Sequence, residues 1–307
     1  MIYTVTFNPS VDYVMQPTTF DLERTNRSSD EECYPGGNGI NVSTILTELD
    51  VNNVAMGVIA GFTGDFIIDT LQKNGINCNF VRLDKGFTRI NVKLVGKFMT
   101  MVNAMGPNIP INKIDELFTR LDRITKDETL VLTGSIPSCL PADMYDIMMS
   151  RFGGRGVRFV VDAPGDLLLN ALPAKPYLIK PNNHEVGALF DADPEMPEDV
   201  LPFAHKLHDQ GAQNVLVSCG GHGAALVDAD GNEHVCSAPK CRLVNATGAG
   251  DSMVAGFLSA IDRGYDYHRA LEFSIACGTA TAASPGLATK EIVERFFQQI
   301  ERAENQA

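Results

Sequence analysis

Short apolar runs of strand length recur along this chain, with amphipathic stretches of helix length between them. No other feature limits the fold as strongly. Residues 2–7 (IYTVTF), 53–60 (NVAMGVIA), 129–133 (TLVLT), 157–161 (VRFVV), 177–179 (YLI) and 214–218 (NVLVS) read as strands. Helical patterns cover 112–125, 141–151, 197–210, 249–263, 267–283 and 290–303. In addition, Val42, Ile45, Leu46 and Leu49 fall at i, i+3, i+4 and i+7 behind a glycine loop. Strand–helix alternation over 307 residues predicts an α/β fold: a mostly parallel sheet between two helical layers.

Two segments interrupt that rhythm. Residues 11–33 are polar and irregular, with short strand-like pieces, and 87–103 (FTRINVKLVGKFMTMVN) read as a hairpin turning at Gly96-Lys97. Both leave the core early and return to it, so a small β sheet, inserted at about 11–33 and 87–105, is expected to form a lid over one edge. With no internal repeat, linker or low-complexity tract, residues 1–307 read as one domain with this appendage. The closing ERAENQA is expected to fray.

A composition of 44% hydrophobic and 21% charged residues leaves ample material for a core. Twenty-five basic against 38 acidic residues give a formal charge of −13, with no basic run, which argues against nucleic acid or an anionic membrane as partner. An anionic ligand must therefore be met by a few placed cations. Seven cysteines without a C-x-x-C spacing suit reduced thiols, and the strand-like start MIYTVTFNPSVD does not resemble a signal peptide. A cytoplasmic location is the expectation. No apolar stretch approaches the roughly 20 residues needed to span a bilayer.

Four stretches can carry chemistry. In NATGAGDSMVAGFL (245–258), small residues precede Asp251 and then a helix. An uncapped helix start attracts phosphate, and an aspartate there suits a proton acceptor for an attacking hydroxyl. Equally, Asp251 caps the helix and the glycines pack it. In PGGNGINVS (35–43), Gly36, Gly37 and Gly39 open a second helix near Asp12, and Asp12 with Asn41 suits polyol hydroxyls. The competing reading is a tight left-handed turn. KPNNHEVGALF (180–190) offers Lys180 to phosphate and Asn182 with Glu185 to Mg²⁺ through water, or else an ordinary helix cap. SCGGHGAAL (218–226) can lie against a nucleotide or be a glycine-rich hairpin. Arg27 and Arg89 on the lid matter only if the substrate is a phosphate ester. There is no G-x-x-x-x-G-K-[ST], no G-x-G-x-x-G after the first strand, and Ser135 lies outside any G-x-S-x-G elbow.

In this order, GGNGIN (36–41), Asn182–Glu185 and NATGAGDSMVAGFL resemble the ribokinase/PfkB family of sugar kinases over essentially the whole chain. The phrases IYTVTFNPSVDY, TRIN, TGSIP, KPN and SPGLAT most resemble its bacterial 1-phosphofructokinases, with tagatose-6-phosphate kinases next. The resemblance implies a ribokinase-like three-layer core and ATP-dependent phosphorylation of a ketose phosphate. Fructose 1-phosphate, giving the 1,6-bisphosphate, comes first; tagatose 6-phosphate is the alternative, and a non-catalytic sugar-phosphate sensor is the least favoured.

It further implies Asp251 as base and Gly248, Ala249 and Gly250 as anion hole. Lys180, Asn182, Ser218, Cys219, Gly220, Gly221, His222, Gly223 and Gly250 would serve ATP, with Glu185 holding Mg²⁺ through water. Asp12, Gly37 and Asn41 would meet sugar hydroxyls, and Arg89, Arg27 and Ser135 the sugar phosphate. A homodimer through the lids is expected. Many relatives read GGKG and use that lysine on the phosphate, where this chain has Asn38, a loss of about 1–3 kcal/mol in binding.

Overall fold

The computed structural model describes residues 1–96 and 99–304, and for Met99 the backbone alone. β1 (Ile2–Thr6), β2 (Ser10–Pro17) and β3 (Ser28–Gly36) come first, then α1 (Asn38–Glu48), β4 (Asn53–Ala60), α2 (Gly61–Lys73) and β5 (Asn77–Leu83). Next are β6 (Arg89–Val95), β7 (Met99–Val102), α3 (Ile111–Leu121), β8 (Thr129–Thr133), α4 (Met144–Gly153) and β9 (Arg158–Asp162). α5 (Asp166–Ala171), β10 (Leu178–Ile179), α6 (Asn183–Phe190), α7 (Pro197–Asp209), β11 (Val215–Ser218), β12 (Ala224–Val227) and β13 (Glu233–Cys236) follow. The chain closes with α8 (Ala249–Asp262), α9 (Tyr267–Ala282) and α10 (Lys290–Glu304).

Nine strands form one sheet in the order β13-β12-β11-β10-β9-β8-β1-β4-β5, parallel from β11 to β5 and antiparallel at the β12 and β13 edge. Strand period two sorts its side chains between two cores. Leu130 and Leu132 face the helices α3, α4 and α7, whereas Val131 between them faces α1, α8, α9 and α10. Val160 and Leu216 repeat this division on β9 and β11. Both faces are therefore apolar, which is why these strands read as unbroken hydrophobic runs.

The polar interruptions form a second sheet, β3-β2-β6-β7. β2 pairs antiparallel with β3 and parallel with β6, and β6 pairs antiparallel with β7. Val11 and the partly buried Ile90 join it to α1 and α2 through a third cluster with Ile40, Ile67 and Leu71. The β6–β7 pairing is the expected hairpin, although Lys97 of its turn lies outside the described residues.

α2 and β5 have no counterpart in the sequence reading; GFTGDFIIDTLQK opens with glycines and NCNFVRL carries polar residues at both parities. The expectation that ERAENQA frays fails for residues 301–304, which continue α10. Glu301 and Glu304 are held there by Arg269 and His268 of α9. The other three lie outside the described residues. Among the described residues no helix is long and apolar enough to cross a membrane, and the seven cysteines are unbridged.

Candidate active site

Because β1 and β8 to β11 run parallel, their carboxyl ends share one edge, where α/β sheets hold ligands. Thr6, Thr133, Asp162, Ile179 and Ser218 end the five strands, and the sequence motifs lie just beyond them. α8 starts above this edge with Gly248 as N-cap at φ 82°, a left-handed conformation that only glycine adopts cheaply. Gly248 makes no side-chain cap, so the N-cap residue covers none of the first N–H groups of α8. Of the three residues expected to form the anion hole, Ala249 has an N–H already directed to the Ala246 carbonyl at 3.3 Å.

Asp251 does not cap α8. Its carboxylate turns to α1, where Asn38 Nδ2 donates to Oδ1 at 3.0 Å and Asn41 Nδ2 to Oδ2 at 2.8 Å. It is 4% exposed. Burial pushes its pKa up to about 7, assisted by the charge of Asp162 and opposed by Asn41, Lys180 and Asn38. Asn38, expected as a substrate contact in place of the usual lysine, donates to this carboxylate and has its own Oδ1 lying over Gly134.

Lys180 is buried and pairs with Asp162 at 3.3 Å. Burial works against its charge, yet Asp162, Glu185 and Asp251 outweigh that and hold its pKa above the ordinary lysine value. A Cβ on Gly250 would stand 3.1 Å from Lys180 Nζ, so the lysine lies directly beneath the start of α8. At α6, Asn182 Oδ1 accepts the Glu185 N–H at 2.9 Å and Glu185 Oε2 accepts the Asn182 N–H at 2.8 Å. This is a capping box, the simpler of the two readings of that motif.

Two cavities meet at residues 245–250. The larger, about 610 Å³, is lined by Ser218, Gly220, Gly221, Gly223 and Gly250 as expected, with Met253 and Ile275 on its apolar side. Cys219 and His222 are not in its lining: Cys219 is buried, and His222 is exposed in the turn. The smaller, about 470 Å³, lies between the second sheet and the core and is lined by Asp12, Asn41, Lys93 and Thr247.

Asp12 is tightly held. Asn91 Nδ2 donates to its Oδ1 at 3.0 Å, Ser10 Oγ donates at 2.8 Å, and Lys93 Nζ pairs with Oδ2 at 2.7 Å. Gly36 leaves it room, since a Cβ there would meet Asp12 Oδ1 at 2.6 Å. Gly37 is the N-cap of α1 and does not line the cavity. Nor do the three residues expected at the substrate phosphate. Arg89 donates Nε and Nη2 to the Asn8 carbonyl at 3.1 and 2.9 Å, while Arg27 and Ser135 are exposed.

Lys93, Asn91 and Asp162 are the site residues that sequence reasoning missed. Arg89, Asn91 and Lys93 alternate along β6, so the period-two rule that defined the strand also places them on one face. Asp162 is the last residue of a central strand, the position most exposed to a ligand at that edge.

The pfkB family carbohydrate kinase profile matches residues 5–293 of the chain. The 1-phosphofructokinase of Bacillus subtilis (strain 168) is 40% identical over 302 residues, 98% of each chain. A D-tagatose-1-phosphate kinase of Bacillus licheniformis is 32% identical over 302 residues, 98% of this chain and 99% of its own. Among solved structures, the phosphofructokinase-2 of Escherichia coli, in complex with substrates and products, has a TM-score of 0.92 at 26% identity, covering 98% of this chain and 99% of that one. The tagatose kinase among these relatives is named for the 1-phosphate, not for the 6-phosphate that the sequence reading weighed.

Proposed function

The chain belongs to the pfkB family of carbohydrate kinases, and from that premise we propose that it phosphorylates a ketose 1-phosphate, fructose 1-phosphate first, with Asp251 as base. In the step, O6 of the sugar bonds to the γ-phosphorus of ATP and the bond from that phosphorus to the ADP oxygen breaks. The O6 proton passes to an Asp251 carboxylate oxygen. A single observation carries this reading: a buried carboxylate at the bare start of α8, fixed by two amides and raised to about 7. A general base is most effective when its pKa lies near the working pH. Each oxygen has a second lone pair, so the amides orient the carboxylate and leave it able to accept a proton.

ATP is assigned to the larger cavity, with its terminal phosphate toward Gly250 and Lys180, and the sugar to the smaller. The N–H groups at the start of α8 would take the negative charge that grows on the phosphoryl oxygens. The donors also fit Mg²⁺. Asp162, Glu185 and Asp251 converge on the one lysine, and the cap leaves the second oxygen of Glu185 for a metal-bound water. When bound there, Mg²⁺ would neutralise phosphate charge.

Lys93 is a cation in the sugar cavity, where Asn38 brings none. Closing the second sheet over that cavity would exclude water and limit ATP hydrolysis. Exposed Met101 and Val102 on β7 favour a second copy of the chain against this sheet, as a homodimer.

Tagatose 1-phosphate is the second reading, favoured by the Bacillus licheniformis relative. It shares the phosphate position and differs from fructose 1-phosphate at C4. ADP release over fructose 1-phosphate, tagatose 1-phosphate, tagatose 6-phosphate and fructose 6-phosphate decides between them. The expected result is the highest kcat/KM on fructose 1-phosphate; a preference for either 6-phosphate overturns the assignment.

A further inference from the structure

On the core face remote from α3 and α4, α9 packs between α8 and α10, and its first turns carry two metal-ligating side chains. His268 and Glu272 are four residues apart and so lie one above the other on one helix face. Glu304 reaches them from the last turn of α10, 3.0 Å from His268 Nε2. One ligand atom from each of the three lies within 4.8 Å of the other two.

Glu272 makes this more than a surface cluster. It is 3% exposed, and its Oε1 has no hydrogen-bond partner. A buried carboxyl with an unsatisfied oxygen, close to a second carboxylate, is costly unless a proton or a cation joins them. The neighbouring basic side chains are engaged elsewhere. Arg269 pairs with Glu301, and His234 of β13, 5.9 Å ring to ring from His268, is held by Asp228 at 2.8 Å.

We propose that His268, Glu272 and Glu304 form a divalent-cation site of the Zn²⁺ class that ties α10 to α9. One imidazole with two carboxylates suits Zn²⁺, whereas Mg²⁺ prefers oxygen ligands and keeps its waters. Ligand atoms around tetrahedral Zn²⁺ stand about 3.4 Å apart, given bonds of about 2.1 Å. Closing from 4.8 Å falls on His268 and Glu304, whose side chains are 42% and 44% exposed and able to rotate, while Glu272 stays fixed. Water completes the tetrahedron.

The site is distinct from both cavities and does not depend on the kinase reading. The test uses the full chain, stripped with a chelator and desalted, then melted with micromolar ZnCl₂ or with MgCl₂ at the same concentration. Zn²⁺ should raise Tm, Mg²⁺ should not, and calorimetry should give one Zn²⁺ per chain. Glu272→Gln removes the buried charge while keeping the shape, so it should melt at least as high as the parent without metal and yet bind Zn²⁺ at least tenfold more weakly. His268→Ala should also lose the Tm response. A Tm that ignores Zn²⁺, as a merely shared proton between Glu272 and Glu304 requires, overturns the proposal. So does a Zn²⁺ response that survives in both variants, which would place the ion on thiols elsewhere.

Discussion

α6 and α8 begin at the same edge of the large sheet and treat their first N–H groups in opposite ways. At α6, Asn182 and Glu185 close the helix start with each other's side chains. At α8, Gly248 has no side chain to offer, and the acid of the first turn, Asp251, points across to α1. A closed start contributes about 1 kcal/mol to the fold and leaves fewer donors for a ligand. A bare one forgoes that stability until an anion supplies the acceptors. Both helices carry an acid three positions after the N-cap, and the residue at the N-cap, Asn182 or Gly248, decides which outcome follows.

Substitutions can break this contrast. Gly250→Val would crowd Lys180 and the approach of phosphate to α8, so kcat should fall by about 10²-fold or more in an ADP-release assay. Activity within severalfold of the parent would mean that the bare start has no part in turnover.

Asn38→Lys would set an ammonium beside Asp251 and favour its charged form. A base works deprotonated, so kcat of the parent should rise with pH through a limb near 7. The lysine should move that limb down by about one unit, roughly tenfold in rate on its acid side. An unmoved limb would sever Asn38 from the base.

Asn182→Ala tests the closed start and should cost about 1 kcal/mol, read as a lower denaturant midpoint at unchanged slope. An unchanged midpoint would show that the capping box adds nothing.

Most of the core fold was legible because parallel strands buried on both faces must be apolar throughout. The clusters around Leu130, Val131 and Leu132 are that requirement made visible. The second sheet was legible as a small β lid with one hairpin, but not the pairing of β2 with β6, which is long-range between partly exposed strands. At the site, Asp251 was found from its setting among glycines. What it bonds to was not, because Asn38 and Asn41 are more than 200 residues away in sequence. Lys93 was hidden for a similar reason: its meaning depends on β6 lying beside β2, which sets it against Asp12. Arg89 opens β6 and donates Nε and Nη2 to the Asn8 carbonyl, a contact 81 residues apart that its place in the sequence does not announce.

The most direct test concerns Asp251 itself. Turnover of ATP with fructose 1-phosphate should be compared between the parent and Asp251→Asn, with kcat and KM measured separately. Proton transfer to Asp251 requires a fall in kcat of at least about 10²-fold and a sugar KM that changes only severalfold. An unchanged kcat in Asp251→Asn would contradict it.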